Sequence, residues 1–366
     1  MHYLLLPYSM VALLFVWFYD RRSNQAALAG IMLMCLIMIF MIWGAIVFRP
    51  IAGDPFRYML GFDDLRRLSL IQMLSVDNPE FLFRWLNWFI GQLSISNVVF
   101  FSCTFAIFIV PFWLACRSYF TSVHSAALLM AYSMYPYFIA YAASGIRQGI
   151  GLSFMLLALV LLSKKSKWGW AWLFLSPLWH NGMWLAIIVV GGIFLIPKSL
   201  NRLHICLLVL SLSVVLSITG INESITSFIP GLIDLDSNKD IYFDKDAADS
   251  INYRTGFRGD FFLFSMFPLV IYLFIKRKFI NREQPELWVS IYAGLNSIYH
   301  FFSFAIFTDR FASFSWFIMP FVLLVMVVNS NHINAHIKMF VMIFCSVNIF
   351  LLQFYTGTYL TELILN

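Results

Sequence analysis

Arg147 and Gln148 interrupt the stretch AYAASGIRQGIGLSFMLLALVLLSKKSKW, between two apolar runs long enough to lie in a membrane. A cation beside hydrocarbon costs about 2.5–3.5 kcal/mol on insertion scales, so it either snorkels from a helix end or faces a site that needs fixed positive charge. His180 in PLWHNG ends one apolar run and opens the next. An imidazole there is a general base at neutral pH, or an interfacial histidine capping a helix beside Trp179 and Trp184. Asp309 and Arg310 in FTDRFAS supply a further cation at a helix end, or an ion pair that satisfies itself. The segment AGDPFRY contributes Asp54, Arg57 and Tyr58, with Glu80 further along. Asp54 is a second candidate base. Asp54, Asp63, Asp64, Asp77 and Glu80 could in principle assemble around a divalent cation, but no tight carboxylate spacing supports this and no metal is assigned. Arg254 and Arg258 lie four apart, on one face if that segment is helical.

The elements that must position these residues are membrane helices. Of the 366 residues, 61% are hydrophobic and 11% charged; a soluble domain carries about 25% charged residues. The expected fold is a single all-α polytopic membrane domain over residues 1–366. Apolar windows predict twelve transmembrane helices, at about 3–19, 26–48, 97–115, 124–142, 146–162, 168–180, 182–196, 203–220, 260–275, 287–307, 311–328 and 337–355. The windows 168–180 and 182–196 are short for a bilayer, which suggests tilted, broken or re-entrant helices. The N-terminal run lacks a basic leader region and a small-residue cleavage site, so it reads as a first span.

Charge sets the orientation. DRRSN, CRS, KKSK, PKSLNR, KRKFINRE and HIK hold thirteen of the 24 Lys and Arg, and with Glu286 just beyond the fifth they carry only Asp20, Glu283 and Glu286 among the 18 acids. Basic short loops stay in the cytoplasm, so both termini are expected outside, with two longer outer segments at about 49–96 and 221–259. Of the eleven cations on that outer face, nine are arginine. Arginine offers a planar fork that matches phosphate or carboxylate, which lysine does not. Salt bridging with the outer acids accounts for such arginines equally well. Arg147, His180, Asp309 and Arg310 come from distant spans, yet all fall at outer helix ends beside Asp54, Arg57, Tyr58 and Glu80. Convergence of polar groups on one face is the pattern of a site.

Other classes are excluded or disfavoured. The net charge of +6 is scattered through loops as topology signals, so no nucleic-acid partner is expected. The five cysteines lie in or beside apolar runs, without disulfide or metal-ligand spacing. There is no phosphate-binding P-loop, dinucleotide fingerprint, HExxH or GxSxG, so no cofactor is expected and the energy of any reaction must arrive with the substrate. A transporter calls for internal repeats and charges near mid-span; no convincing repeat is present, and the charges collect at one face.

The order Gly53-Asp54…Tyr58, Glu80, Arg147-Gln148, His180 and Asp309-Arg310 resembles the EpsG family of Wzy-like bacterial polysaccharide polymerases, over nearly the whole chain. Asn181 stands where a small hydroxyl residue is expected after the histidine, and Phe314 where an aromatic hydroxyl is expected after Asp-Arg. The resemblance implies a GT-C-like fold in the bacterial inner membrane, with an active site facing the periplasm or cell exterior. It implies donor and acceptor oligosaccharides linked to undecaprenyl diphosphate, membrane lipids around the protein, and a separate chain-length co-polymerase. The growing glycan is transferred to a sugar hydroxyl of the next lipid-linked unit, giving O-antigen or a related surface polysaccharide. On that reading Arg147 stabilises charge on the departing diphosphate, with Arg254, Arg258 and Arg310 as further members of the clamp. His180 or Asp54 takes the acceptor proton, and Gln148 and Tyr58 orient sugar or phosphate, in a substrate site that also includes Arg57, Glu80 and Asp309. Trp43, Trp85 and Trp88 could stack on sugars, although an interfacial belt explains them as well. The competing readings are a lipid-linked oligosaccharide flippase, a membrane O-acyltransferase using the histidine, and an O-antigen ligase.

Overall fold

The computed structural model describes residues 14–15, 17, 19, 24–49, 51, 53–75, 79–133, 135–197, 200–227, 254–331, 337 and 339–340. Most of the predicted spans 3–19 and 337–355, residues 228–253 of the second outer segment, Asp77 and Cys345 lie outside the described residues. Every regular element among those described is helical, and the single extended pairing is a bridge between Phe279 and Ser330. The chain divides into two compact units, residues 1–184 with 332–366, and residues 185–331.

The first unit begins with α1 (Gln25–Val47), capped by the Asn24 side chain on the Ala26 N–H at 2.8 Å. Apolar on every side, α1 buries Ile31, Cys35, Met38 and Ile42 while leaving Leu33, Leu36 and Phe40 exposed, as a helix facing lipid does. Three short helices follow: α2 (Asp54–Leu65), α3 (Leu70–Ser75) and α4 (Phe81–Leu93). Gly53 opens α2 with φ +64°, a conformation that favours glycine, and Pro55 occupies the first turn, where its missing N–H costs nothing. Next come α5 (Asn97–Tyr119), α6 (Ser122–Ser133), α7 (Pro136–Ala143) and α8 (Ile146–Ser163). The window 124–142 is therefore two helices, α6 and α7, bent by 75° at the break before Pro136. Phe108, Phe112, Tyr132 and Phe138, with ring centroids 4.7–5.1 Å apart, fill the wedge among α5, α6 and α7. The central helix α8 is buried on nearly all sides and packs against α5 and α9 (Trp168–Leu175). A 3₁₀ turn, Ser176–Leu178, ends the α9 segment just before His180.

The second unit contains most of α10 (Met183–Leu195), then α11 (Arg202–Thr219), α12 (Ile221–Ser227), α13 (Gly259–Ile275), α14 (Glu283–Phe301), α15 (Thr308–Trp316) and α16 (Met319–Val328). Its centre is α14, which packs on α11 and α15 and buries Trp288, Tyr292 and Tyr299. Two buried polar bonds tie α13 to its neighbours: Tyr292 Oη donates to the Ser265 carbonyl at 2.8 Å, and Trp316 Nε1 donates to Ser265 Oγ at 2.7 Å.

Counting α15 and α16 as one continuous span, six described helical stretches are long and apolar enough to cross a membrane, or seven if α6 and α7 form one broken span. The chain is thus an α-helical, multi-pass membrane protein. The windows 168–180 and 182–196 form shorter helices flanking His180, as their lengths suggested.

Candidate functional site

Glu80, Arg147 and His180, separated by 67 and 33 residues along the chain, meet in the first unit. Each sits at a helix end. Glu80 is the N-cap of α4: its carbonyl accepts the Arg84 N–H at 3.1 Å, while its side chain makes no capping bond and turns away from the helix. Its carboxylate is 9% exposed. Oε2 accepts from Nη1 of Arg147; Oε1 pairs with Nδ1 of His180 at 2.9 Å and accepts the Asn181 backbone N–H at 3.2 Å.

Arg147 is the second residue of α8. The guanidinium carbon stands 5.3 Å from the Tyr58 ring centroid and 6.0 Å from that of Phe83, and these two rings meet edge to face at 5.6 Å. The cation therefore rests against aromatic faces contributed by α2 and α4. Its backbone is fixed by close packing of α7 on α8. A Cβ at Gly149 would come within 2.3 Å of the Tyr141 carbonyl oxygen, and one at Gly145 within 2.7 Å of the Tyr141 ring. The spacing GIRQG thus brackets Arg147 and Gln148 with the two residues that permit the approach.

Arg49 holds the same junction from the other side. It is 7% exposed, donates to the carbonyls of Ile46 at the end of α1 and Ala143 at the end of α7, and lies 4.7 Å from the Phe101 ring centroid. Counted by charge it belongs with the outer arginines; in the fold it closes two helix C-termini, whose last carbonyls lack intrahelical partners.

His180 follows the 3₁₀ turn, with its N–H directed to the Ser176 carbonyl at 3.3 Å. Burial pushes the Glu80 carboxyl up, but the hydrogen bond and charge of His180, the charge of Arg147 and the Asn181 N–H outweigh it and hold the group down at about 2. At neutral pH the ionised carboxylate only accepts, so the proton between it and His180 sits on Nδ1. Whenever the ring is neutral, its lone pair is on Nε2. Gly182 lies beside that atom, where a Cβ would stand 3.1 Å from Nε2. Carboxylate, imidazole and guanidinium thus form one connected cluster at three helix ends.

The remaining first-unit residues fall nearby or on local partners. Tyr58 is in the cluster, and Gln148 is buried on α8 next to Arg147. Asp54 pairs with Arg57 at 3.6 Å on α2, and Asp63 with Arg66, the C-cap of that helix, at 2.9 Å, so each of these carboxylates faces a cation three residues on. Among the described residues no three His, Cys, Asp or Glu side chains converge in the manner of metal ligands.

Arg254, Arg258, Asp309 and Arg310 belong to the second unit. Arg258 holds Asp260 through Nη2 at 2.7 Å and Nε at 3.3 Å, and its guanidinium carbon is 3.4 Å from the Phe261 ring centroid. Arg310, in the first turn of α15, stands 5.0 Å from the ring of Phe307, a residue in the left-handed region with φ +57°. The Gly256 N–H donates to the Ser303 carbonyl at 2.9 Å, tying the segment of Arg254 and Arg258 to the turn that leads to Arg310.

Phe83, Gly145 and Gly149 were not singled out by chemistry in the sequence, and Asn181 was noted only as a departure from the family pattern. Only the bracketing of Arg147 by glycines four apart was visible there. No curated protein and no solved structure matches the chain. The family model of the EpsG family matches residues 31–364. With nearly the whole length covered, this multi-pass membrane protein belongs to the EpsG family.

Proposed function

We propose that the protein is a polysaccharide polymerase: a glycosyltransferase joining oligosaccharide repeat units carried on undecaprenyl diphosphate. The observation that supports it most is the single buried carboxylate of Glu80 bound at once to His180 and Arg147. In the cluster the charges of Glu80 and Arg147 cancel, and the reaction uses His180 in its neutral form. The acceptor sugar hydroxyl attacks the anomeric carbon of the donor glycan, its proton passes to Nε2 of His180, and the bond to the lipid diphosphate breaks. The cluster gains one positive charge in the same step that places negative charge on the leaving diphosphate. Attraction that grows during the reaction lowers the barrier, whereas attraction already complete in the ground state does not. Glu80 is then a positioning residue that fixes the imidazole tautomer and the guanidinium. Tyr58 and Gln148 orient substrate, and Asp54 with Arg57 lies on the helix that carries Tyr58.

In the proposed arrangement the chain crosses the inner membrane twelve times in a GT-C-like fold, as one integral domain with outer segments 49–96 and 221–259. The site faces the periplasm or cell exterior, Arg254, Arg258, Asp309 and Arg310 contact donor or acceptor, and a co-polymerase sets chain length. Purified protein in nanodiscs, supplied with lipid-linked repeat units, is expected to convert them to a ladder of longer chains without nucleotide or added metal. Units that stay monomeric in that assay, together with a normal ladder in a strain lacking the gene, would end the polymerase reading. Transfer of single units to another acceptor without lengthening would assign the protein as a ligase instead.

A further inference from the structure

We propose that α2, α3 and α4 lie in the membrane–water interface, seated on the lipid headgroup layer through a second apolar face, instead of forming an aqueous domain. The first apolar face of each helix is spent inside the unit: Met59 and Phe62 on α2, Met73 on α3, Leu86 and Ile90 on α4 are all buried. A second set remains outside. Phe81, Trp85 and Phe89 recur every four residues along α4 and are exposed, with Trp85 and Phe89 stacked at 5.2 Å. Phe56 and Leu60 do the same on α2, and on α3 Ile71 is 81% exposed. Helices with a polar stripe and apolar residues on two faces are stable in water only if something covers the outer one.

Lipid is the cover that the chain geometry favours. Residues 48–53 join α1 to α2, and residues 94–96 join α4 to α5. Three extended residues reach about 10 Å, close to the depth of one headgroup layer, so the end of α4 cannot rise far from the bilayer. Exposed Leu93, Ile95, Val98 and Val99 carry the apolar surface without a break from α4 through the connector onto the first turn of α5, a membrane span. Polar groups border this surface as headgroup contacts do: Arg57 is 81% exposed on α2 and Asp64 is exposed near its end. Because Glu80 immediately precedes Phe81, an α4 seated in this way holds the carboxylate at headgroup depth, the level of a lipid-linked diphosphate.

Site-directed spin labelling tests the placement without reference to any activity, so it stands or falls separately from the polymerase reading. Single cysteines Ile71→Cys, Phe89→Cys and Asp64→Cys, in a background with the native cysteines replaced, are labelled with a nitroxide. The protein is placed in nanodiscs of phosphatidylethanolamine and phosphatidylglycerol. At positions 71 and 89 relaxation by oxygen is expected to exceed relaxation by a water-soluble nickel chelate several-fold, with the order reversed at 64. Preference for the nickel chelate at 71 and 89 would show that they face water and overturn the proposal. So would low accessibility to both reagents, which marks a surface covered by protein.

Discussion

Replacing Glu80 by glutamine keeps the size of the side chain and removes its charge, so it separates the electrostatic role of this residue from packing. The carboxyl group is held at about 2 against a usual 4.5. At about 1.4 kcal/mol per pKa unit, its ionised form gains about 3 kcal/mol from its partners in the folded protein. The sign follows from a lowered value: this stabilisation is fully present above pH 4.5 and is lost as pH falls toward 2. Glu80→Gln is therefore expected to lower thermal stability in detergent near neutrality, and the gap to wild type should close only in acid. The effect on turnover should be larger than folding explains. A glutamine amide can donate as well as accept, so it no longer obliges Nδ1 to carry the proton or holds the guanidinium by charge. General bases contribute about 10²–10⁴-fold, and losing the orientation of one is expected to cost about a hundredfold in kcat for chain extension. The assay is elongation of lipid-linked units by nanodisc-embedded protein, normalised to the folded fraction by size exclusion. Near-wild-type kcat in a variant that is destabilised as expected would leave Glu80 as a structural ion-pair partner and refute the dyad.

Arg147→Lys is expected to retain folding but lose most extension activity, since an ammonium cannot span Glu80 and a second acceptor as the planar guanidinium does; polymer yield against membrane abundance checks this. Gly182→Ala puts a methyl group 3.1 Å from His180 Nε2, so kcat should fall roughly tenfold with little change in melting temperature, an effect of displacing a base by a fraction of an ångström.

Arg147 and His180 were legible because each breaks an apolar run where hydrocarbon tolerates few charges. The partner that joins them was not: Glu80 is 67 and 100 residues away from them, and no local periodicity encodes a contact across three helix ends. Its chemical type was visible and its place in the cluster was not, which is why it first reads as one more substrate contact. Arg49 entered the sequence reading only as one of the nine outer-face arginines. Its partners are main-chain carbonyls, which carry no side-chain signature, so a buried helix clamp looks the same in sequence as a surface arginine. The short helices α2–α4 were seen only as a long connection, because amphipathic helices of six to thirteen residues never fill a window sized for a bilayer. The break between α6 and α7 was masked by the continuous hydropathy of 124–142, although Pro136 marks it.

The contact of Gly149 with the Tyr141 carbonyl leaves room for a hydrogen atom and nothing larger. The joint between α7 and α8 therefore has no neighbouring variants of slightly different angle: a substitution either keeps the glycine or forces the helices apart. With Arg49 gripping the end of α7 as well, the post that carries Arg147 is closed to gradual adjustment. Variants that change this protein must differ elsewhere, and, on the polymerase reading, libraries aimed at altered sugar preference should hold residues 141–149 constant and diversify the surfaces around them.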